Sequence, residues 1–124
     1  MTNLEQMGGF TTAISIEGKY IATALGERGV KIFSLDFEGN KLKLETKVDQ
    51  QTFKLKSIDV QDLAYDSARK NLFILDSLSG VLPVALNFSG EKLSAAPTSS
   101  VISLKDCNLL YYDAYQDELY INCR

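Results

Sequence analysis

Asn71-Leu-Phe-Ile-Leu-Asp-Ser-Leu-Ser-Gly-Val-Leu-Pro-Val-Ala-Leu-Asn-Phe-Ser-Gly-Glu-Lys-Leu93 is the most informative stretch of the chain, because much of it occurs twice. Residues 20–42 lie over it without a gap at an offset of 51. Gly29/Gly80, Val30/Val81, Leu35/Leu86, Phe37/Phe88, Gly39/Gly90, Lys41/Lys92 and Leu42/Leu93 are identical pairs. A second overlay, at an offset of 47, sets residues 58–74 on 105–121. There Asp59/Asp106, Leu63/Leu110, Tyr65/Tyr112, Asp66/Asp113, Leu72/Leu119 and Ile74/Ile121 match. Repeats of this length, patterned as short strands, signal stacked β units. A single unit cannot bury its own apolar face, so the chain is expected to work as part of an array.

The local pattern on both sides of this stretch is strand-like throughout. Lys41-Leu-Lys-Leu-Glu-Thr-Lys-Val48 alternates with a period of two, which suits a half-buried strand. Residues 11–16, 20–25 and 30–37 are three further strand candidates, with Gly18, Gly26 and Gly29, and Gly39-Asn40 as turn signals. In the second unit, 60–65 reads as the inner strand, 71–76 as the next and 81–88 as the third. A weak fourth strand from Lys92 runs into Ala95-Ala-Pro-Thr-Ser-Ser100. Proline belongs at a sheet edge, so this strand should be outermost. Residues 101–104 read either as a ladder insert or as the start of the next inner strand. The third unit supplies 109–113 and 118–122. The chain thus divides into a tail (1–9), repeat 1 (10–56), repeat 2 (57–103) and a partial repeat 3 (104–124). Residues 49–55 read as a connection between units, and no helical period runs beyond about two turns.

Composition excludes more than it assigns. Net charge is −3, so no basic footprint for nucleic acid is present. Lys41, Lys43 and Lys47, interrupted by Glu45, read as a solvated strand face. The chain has no histidine, which removes Ser–His–Asp, Cys–His and His-ligated metal schemes. No apolar run is long enough to span a membrane as a helix, so no membrane insertion is expected. Residues 1–9 are polar and lack the apolar centre of a signal peptide. A cytoplasmic or organellar-matrix location follows if Met1 is the natural start, and a secreted or ectodomain location if a signal sequence was removed. Gly26-Glu-Arg-Gly29 lacks the lysine and the following helix of a phosphate loop. Cys107 and Cys123 fall on neighbouring strands of the last unit. They read as buried or half-buried free thiols, a disulfide requiring an oxidising compartment.

Leu63-Ala-Tyr-Asp66, Asn71-Leu-Phe-Ile-Leu-Asp76 and Gly80-Val-Leu-Pro-Val84 together resemble a blade of the YWTD or NHL-type β-propellers. In those families an inner strand ends near a Tyr-Asp pair, a strand of the form Leu-aromatic-x-x-Asp follows, and a third strand stops before an Asp/Asn-x-x-Gly turn. Asn87-Phe-Ser-Gly90 and Asp36-Phe-Glu-Gly39 supply that last turn. The third unit keeps Tyr112-Asp113 and Leu119-Tyr-Ile121 but has Cys123 at the Asp76 position. The first unit departs most, with Ser15 and Leu25 at the positions of Asp66 and Asp76. Gly29-Val-Lys-Ile-Phe33 with the turn at 36–39 is also similar to blades of the seven-bladed sugar-lactonase family.

The resemblance implies an all-β chain of antiparallel four-stranded blades, about two and a half repeats in an incomplete ring, since propellers close with about 4–8 blades. A small β-sandwich is the alternative. It further implies a non-catalytic interaction or scaffold module without a cofactor. Its partner would be another protein or additional blades in cis or in trans, including a homo-oligomer. Alternatives are a segment of a lactonase-like hydrolase or of an extracellular receptor-type propeller. Inner-strand ends in such proteins line a central channel, which makes Asp59, Asp62, Asp66 and Asp106 candidate channel carboxylates. Oxygen ligands for Ca²⁺ come from such places, but no D-x-D-x-D loop is present.

From the residues themselves, Asp66 and Asp113 precede tight turns and read as side-chain caps. Asp76, Ser77 and Ser79 form a small polar cluster. Tyr111, Tyr112, Tyr115 and Tyr120 have two readings, strand packing and a binding hot spot; Tyr115 sits at a turn, where packing explains it least. Asn87-Phe-Ser89 fits the glycosylation sequon.

Overall fold

The structure, a computed structural model, describes residues 12–36, 41–89 and 92–124. The tail at 1–9, the first-unit turn at 37–40 and Gly90 lie outside these residues. Strands β1 (Thr12–Ile16), β2 (Tyr20–Ala24), β3 (Val30–Asp36) and β4 (Lys41–Val48) form a first antiparallel sheet in chain order. A one-turn helix, α1 (Gln50–Phe53), leads on to the second sheet. There β5 (Val60–Asp66), β6 (Asn71–Asp76), β7 (Gly80–Asn87) and β8 (Ser94–Pro97) pair in order, and β9 (Ile102–Ser103) also pairs with β7. Strands β10 (Cys107–Asp113) and β11 (Glu118–Cys123) make a two-stranded third sheet. The chain is all-β, its sheets are antiparallel, and none closes into a barrel.

The sheets stack face to face in chain order. Ile16, Ala22, Ala24, Val30, Ile32 and Val48 of the first sheet share one core with Leu63, Leu72, Ile74, Leu82, Val84 and Leu86 of the second. Ala64, Leu75 and Val81, on the other face of the second sheet, pack with Cys107 and Leu110 of the third. A sheet buried on both faces needs apolar residues at consecutive positions, which is why Leu72-Phe-Ile-Leu75 and Val81-Leu-Pro-Val84 do not alternate. The leading strands are neighbours, β1 beside β5 and β5 beside β10.

Several local features of the second sheet recur in the third at an offset of 47 residues. Strand β5 carries a bulge between Val60 and Asp62, and β10 carries one between Cys107 and Leu109, 47 residues on. Ser77 N–H donates to the Asp59 carbonyl, and Arg124 N–H to the Asp106 carbonyl, again 47 residues apart. Asp66 Oδ1 accepts from the N–H groups of Ala68 and Arg69, and Asp113 Oδ1 from those of Tyr115 and Gln116, so both aspartates cap their turns as the sequence suggests. Lys70 and Asp117 close these turns in the left-handed region, at φ 59° and 54°. Gly29 and Gly80 head β3 and β7 because a side chain there has no room: a Cβ would lie 2.2 Å from the Val48 carbonyl oxygen at Gly29 and 1.9 Å from that of Ile102 at Gly80.

Three features differ from the sequence reading. The fourth strand of the second unit is broken in two, with β8 pairing residues 84–87 of β7 and β9 pairing Gly80 and Val81. Residues 101–104 therefore complete the ladder as Val48 does opposite Val30, and do not begin the next strand. Strand β4 does not keep one buried face: a bulge opposite Ile32 and Phe33 turns Leu42 outward with Phe33 and Ile21, while Val48 faces the second sheet. The connection at 49–55 contains α1, capped by Asp49, whose Oδ1 accepts from Gln51 N–H (3.0 Å) and Thr52 N–H (3.3 Å). One turn is too short to leave a helical period in the sequence.

Candidate functional site

Polar side chains join the sheets at the turn end of the stack. Glu17, in the β1–β2 turn, accepts from Tyr65 Oη (2.7 Å), Ser67 Oγ (3.1 Å) and Lys70 Nζ (2.8 Å), which ties the first sheet to the second. The Lys70 ammonium, then the Tyr65 hydroxyl, hold the Glu17 carboxyl below its ordinary value. Burial, reinforced by Glu17, raises the Tyr65 phenol. Arg69 ties the second sheet to the third: it grips Asp117 with both terminal nitrogens at 2.6 Å and reaches Asp66 Oδ2 at 2.9 Å. Tyr112 Oη donates to Asp117 Oδ1 at 2.6 Å, and this bond pushes the phenol up to about 12. Burial alone would raise Asp66, but the Arg69 guanidinium and its backbone N–H outweigh it and the carboxyl sits low. Asp117 is lowered by the same guanidinium. A planar fork on a carboxylate is the geometry arginine is suited to.

The four candidate channel carboxylates do not converge. Asp66 lies at the turn end of β5 and Asp59 just before its start, about 20 Å of extended chain apart. Asp62 bridges two leading strands: its Oδ1 accepts from Leu63 N–H (2.9 Å) and its Oδ2 from Leu110 N–H on β10 (2.7 Å). Asp59 accepts from Gln61 Nε2 (2.8 Å) and Ser77 Oγ (3.0 Å). Asp59 and Asp106 do share a shallow groove of about 330 Å³, with Ser77, Asn108 and Arg124. Among the described residues no group of three or more His, Cys, Asp or Glu is placed to hold a metal ion. Asp76 is fully buried and accepts from Asp59 N–H and Ser79 Oγ, so the polar cluster foreseen around it closes the β6–β7 end.

Free thiols are not what the structure contains. Cys107 and Cys123 face each other in the β10–β11 ladder with their Cα atoms 3.9 Å apart and are joined by a disulfide. The sequence reading placed them on neighbouring strands without the pairing register that brings them together.

The four tyrosines divide between two faces. Tyr112 turns toward the second sheet, its ring 6.1 Å from Phe73. Tyr111 and Tyr120 stack at 6.2 Å on the opposite face, 62% and 48% exposed, beside Leu109 at 55%. Tyr115 is fully exposed at the turn. A groove of about 260 Å³ runs between Leu109, Tyr111, Tyr120 and Asn122. Asn87 is exposed at the end of β7 and its Oδ1 accepts from Ser89 N–H (2.9 Å). A third groove, of about 680 Å³ and with no signal in the sequence, lies between α1 and the β8–β9 loop over Phe53, Leu55, Leu82 and Val101.

No family model, curated protein or solved structure matches the chain. No helix among the described residues is long and apolar enough to cross a membrane.

Proposed function

We propose that this chain is a segment of a β-propeller-type repeat array that serves as a non-catalytic interaction or scaffold module and is completed by further sheets, in cis or in trans. The supporting observation is the recurrence, 47 residues apart, of the same bulge, the same capped turn and the same strand-end hydrogen bond in consecutive sheets. Side-by-side leading strands, with sheets stacked in chain order, suit a fan of blades. The carboxylates support the non-catalytic part, because structural bonds account for them: Asp62, and Asp66 through Arg69, hold the second sheet to the third, and Asp59 and Asp76 tie strand ends within the second. Light scattering with calorimetry on residues 1–124 tests this. A discrete oligomer, or a non-cooperative melt that becomes cooperative when neighbouring sheets are supplied, is the expected result. A cooperative monomer would replace this reading with a small sandwich.

An extracellular setting is favoured by the Cys107–Cys123 disulfide and the exposed Asn87 sequon. A mass shift of the native protein on glycosidase treatment tests it, and an unmodified Asn87 with reduced cysteines would count against it.

A further inference from the structure

We infer that the outer edge of β11 accepts a third strand, antiparallel, of the Gly-Val type that begins β3 and β7. This rests on the repeat-array reading and names the partner it needs: an extended segment with glycine opposite Cys123 and apolar residues opposite Ile121 and Leu119.

The edge differs from the other outer edges of the stack. Strand β4 lines its edge with exposed Lys41, Lys43 and Lys47, and β8 is four residues long and ends in Pro97. Charges, proline and shortness are how sheets refuse further strands. Strand β11 reads Glu118-Leu-Tyr-Ile-Asn-Cys123, with a single charge at its first residue and neither lysine nor proline.

The edge also has its hydrogen-bonding groups aimed outward. Leu110 N–H donates to Asp62 Oδ2, away from β11, so the Leu110–Ile121 pair is the non-hydrogen-bonded kind. The N–H and C=O of Ile121, and of Leu119 two residues earlier, therefore turn away from β10. At the repeat-equivalent positions Ile74 and Leu72 stand opposite Leu82 and Val84 of β7. Pro83 fits the same frame: its carbonyl accepts from Thr98 N–H, so its missing N–H lies on the β8 side and nothing is lost toward β6.

The exposed face beside this edge is one the repeat covers elsewhere. Tyr111 and Tyr120 occupy the positions of Ala64 and Phe73, which pack against the third sheet. The register of β6 on β7 sets the chemistry of the incoming strand. Asp76 opposes Gly80, Leu75 opposes Val81 and Ile74 opposes Leu82, so glycine, valine and an apolar residue fall opposite Cys123, Asn122 and Ile121.

The test uses the full chain and a fluorescein-labelled peptide of sequence Gly-Val-Leu-Pro-Val-Ala-Leu-Asn followed by two lysines, read by anisotropy. Two N-methylated versions give the register. Methyl groups on the leucine after valine and on the second valine remove donors that face β11, and should weaken binding about tenfold or more. Methyl groups on the first valine and on the alanine face away, and should change it by no more than about threefold. Equal weakening by both versions overturns the inference, since it indicates apolar adhesion without strand pairing. A discrete oligomer that neither binds the peptide nor is dissociated by it overturns the inference while leaving the array reading in place. A cooperative monomer that does not bind overturns both.

Discussion

Asp76 is the side chain whose replacement tests the packing most sharply. It is fully buried, and its carboxylate accepts from Asp59 N–H and Ser79 Oγ where β6 hands over to β7. Alanine removes both acceptors. Hydrogen bonds to a charged group are worth about 1.5–3 kcal/mol each. Ser79 is only half-buried and its hydroxyl can return to water, so most of the loss falls on the Asp59 N–H. The cost of Asp76→Ala should therefore be about 2–4 kcal/mol. With an unfolding entropy of about 2.1 cal/mol/K per residue, 124 residues give about 260 cal/mol/K and a fall in Tm of about 8–15 °C. Asp76→Asn keeps an oxygen for Asp59, and the Ser79 hydroxyl can rotate to accept from the amide, so its cost should be about 1 kcal/mol or less. Calorimetry at neutral pH with the disulfide intact reads both. A Tm for Asp76→Ala within about 3 °C of the parent, or an asparagine as damaging as the alanine, would show that these hydrogen bonds do not hold the β6–β7 end.

The carboxyls of Glu17, Asp66 and Asp117 are all held below their ordinary values of 4.5, 3.8 and 3.8. Their contribution is complete above those values and is lost as the pH falls below them, so urea midpoints should hold down to about pH 5 and drop below about pH 4. Arg69→Gln should flatten that acid limb, and an unchanged limb would count against the clamp. Reducing Cys107–Cys123 opens a loop of 16 residues and should cost about 3 kcal/mol, with amide exchange rising first in β10 and β11; rising first in β6 would contradict this. Val60 and Asp76 stand 47 residues before Cys107 and Cys123 and face each other in register, so the double substitution Val60→Cys, Asp76→Cys should form a disulfide, seen as a mass lower by about 2 Da after thiol blocking fails. Free thiols in that variant would show that the two sheets do not share local geometry. Gly80→Ala should cost about 2–4 kcal/mol by displacing β9, whereas Gly18→Ala, with open space around its Cβ, should cost about 1 kcal/mol; equal unfolding midpoints would refute the close-approach account of Gly80.

The strands and their order were legible because a period-two pattern with glycine turns is a local signal, and the overlays put strands of different units in correspondence. Asp66 and Asp113 as turn caps were legible for the same reason: an aspartate bonding two residues on needs only its own segment. Contacts across sheets were not. Asp62 reads as one acidic residue among several, and nothing local says that its second oxygen meets the Leu110 N–H, 48 residues on. The disulfide depends on the register of β10 on β11, which the bulge at Asn108 sets. Alternation alone sets Tyr111 and Tyr112 on opposite faces of one strand, but which face meets the second sheet is a contact across sheets. The bulge in β4 was hidden because charged residues keep alternating through Lys41, Lys43, Glu45 and Lys47, and that pattern does not reveal a change of face.

The order of the sheets can be read from methyl–methyl nuclear Overhauser contacts. Stacking in chain order predicts contacts from Ile16 and Ile32 to Leu63 and Ile74, from Ala64 and Leu75 to Leu110, and none between the first and third sheets. Contacts from Leu110 or Ile121 to Ile32 or Val48 would mean that the outer sheets close on each other as a two-layer sandwich, and would contradict the array.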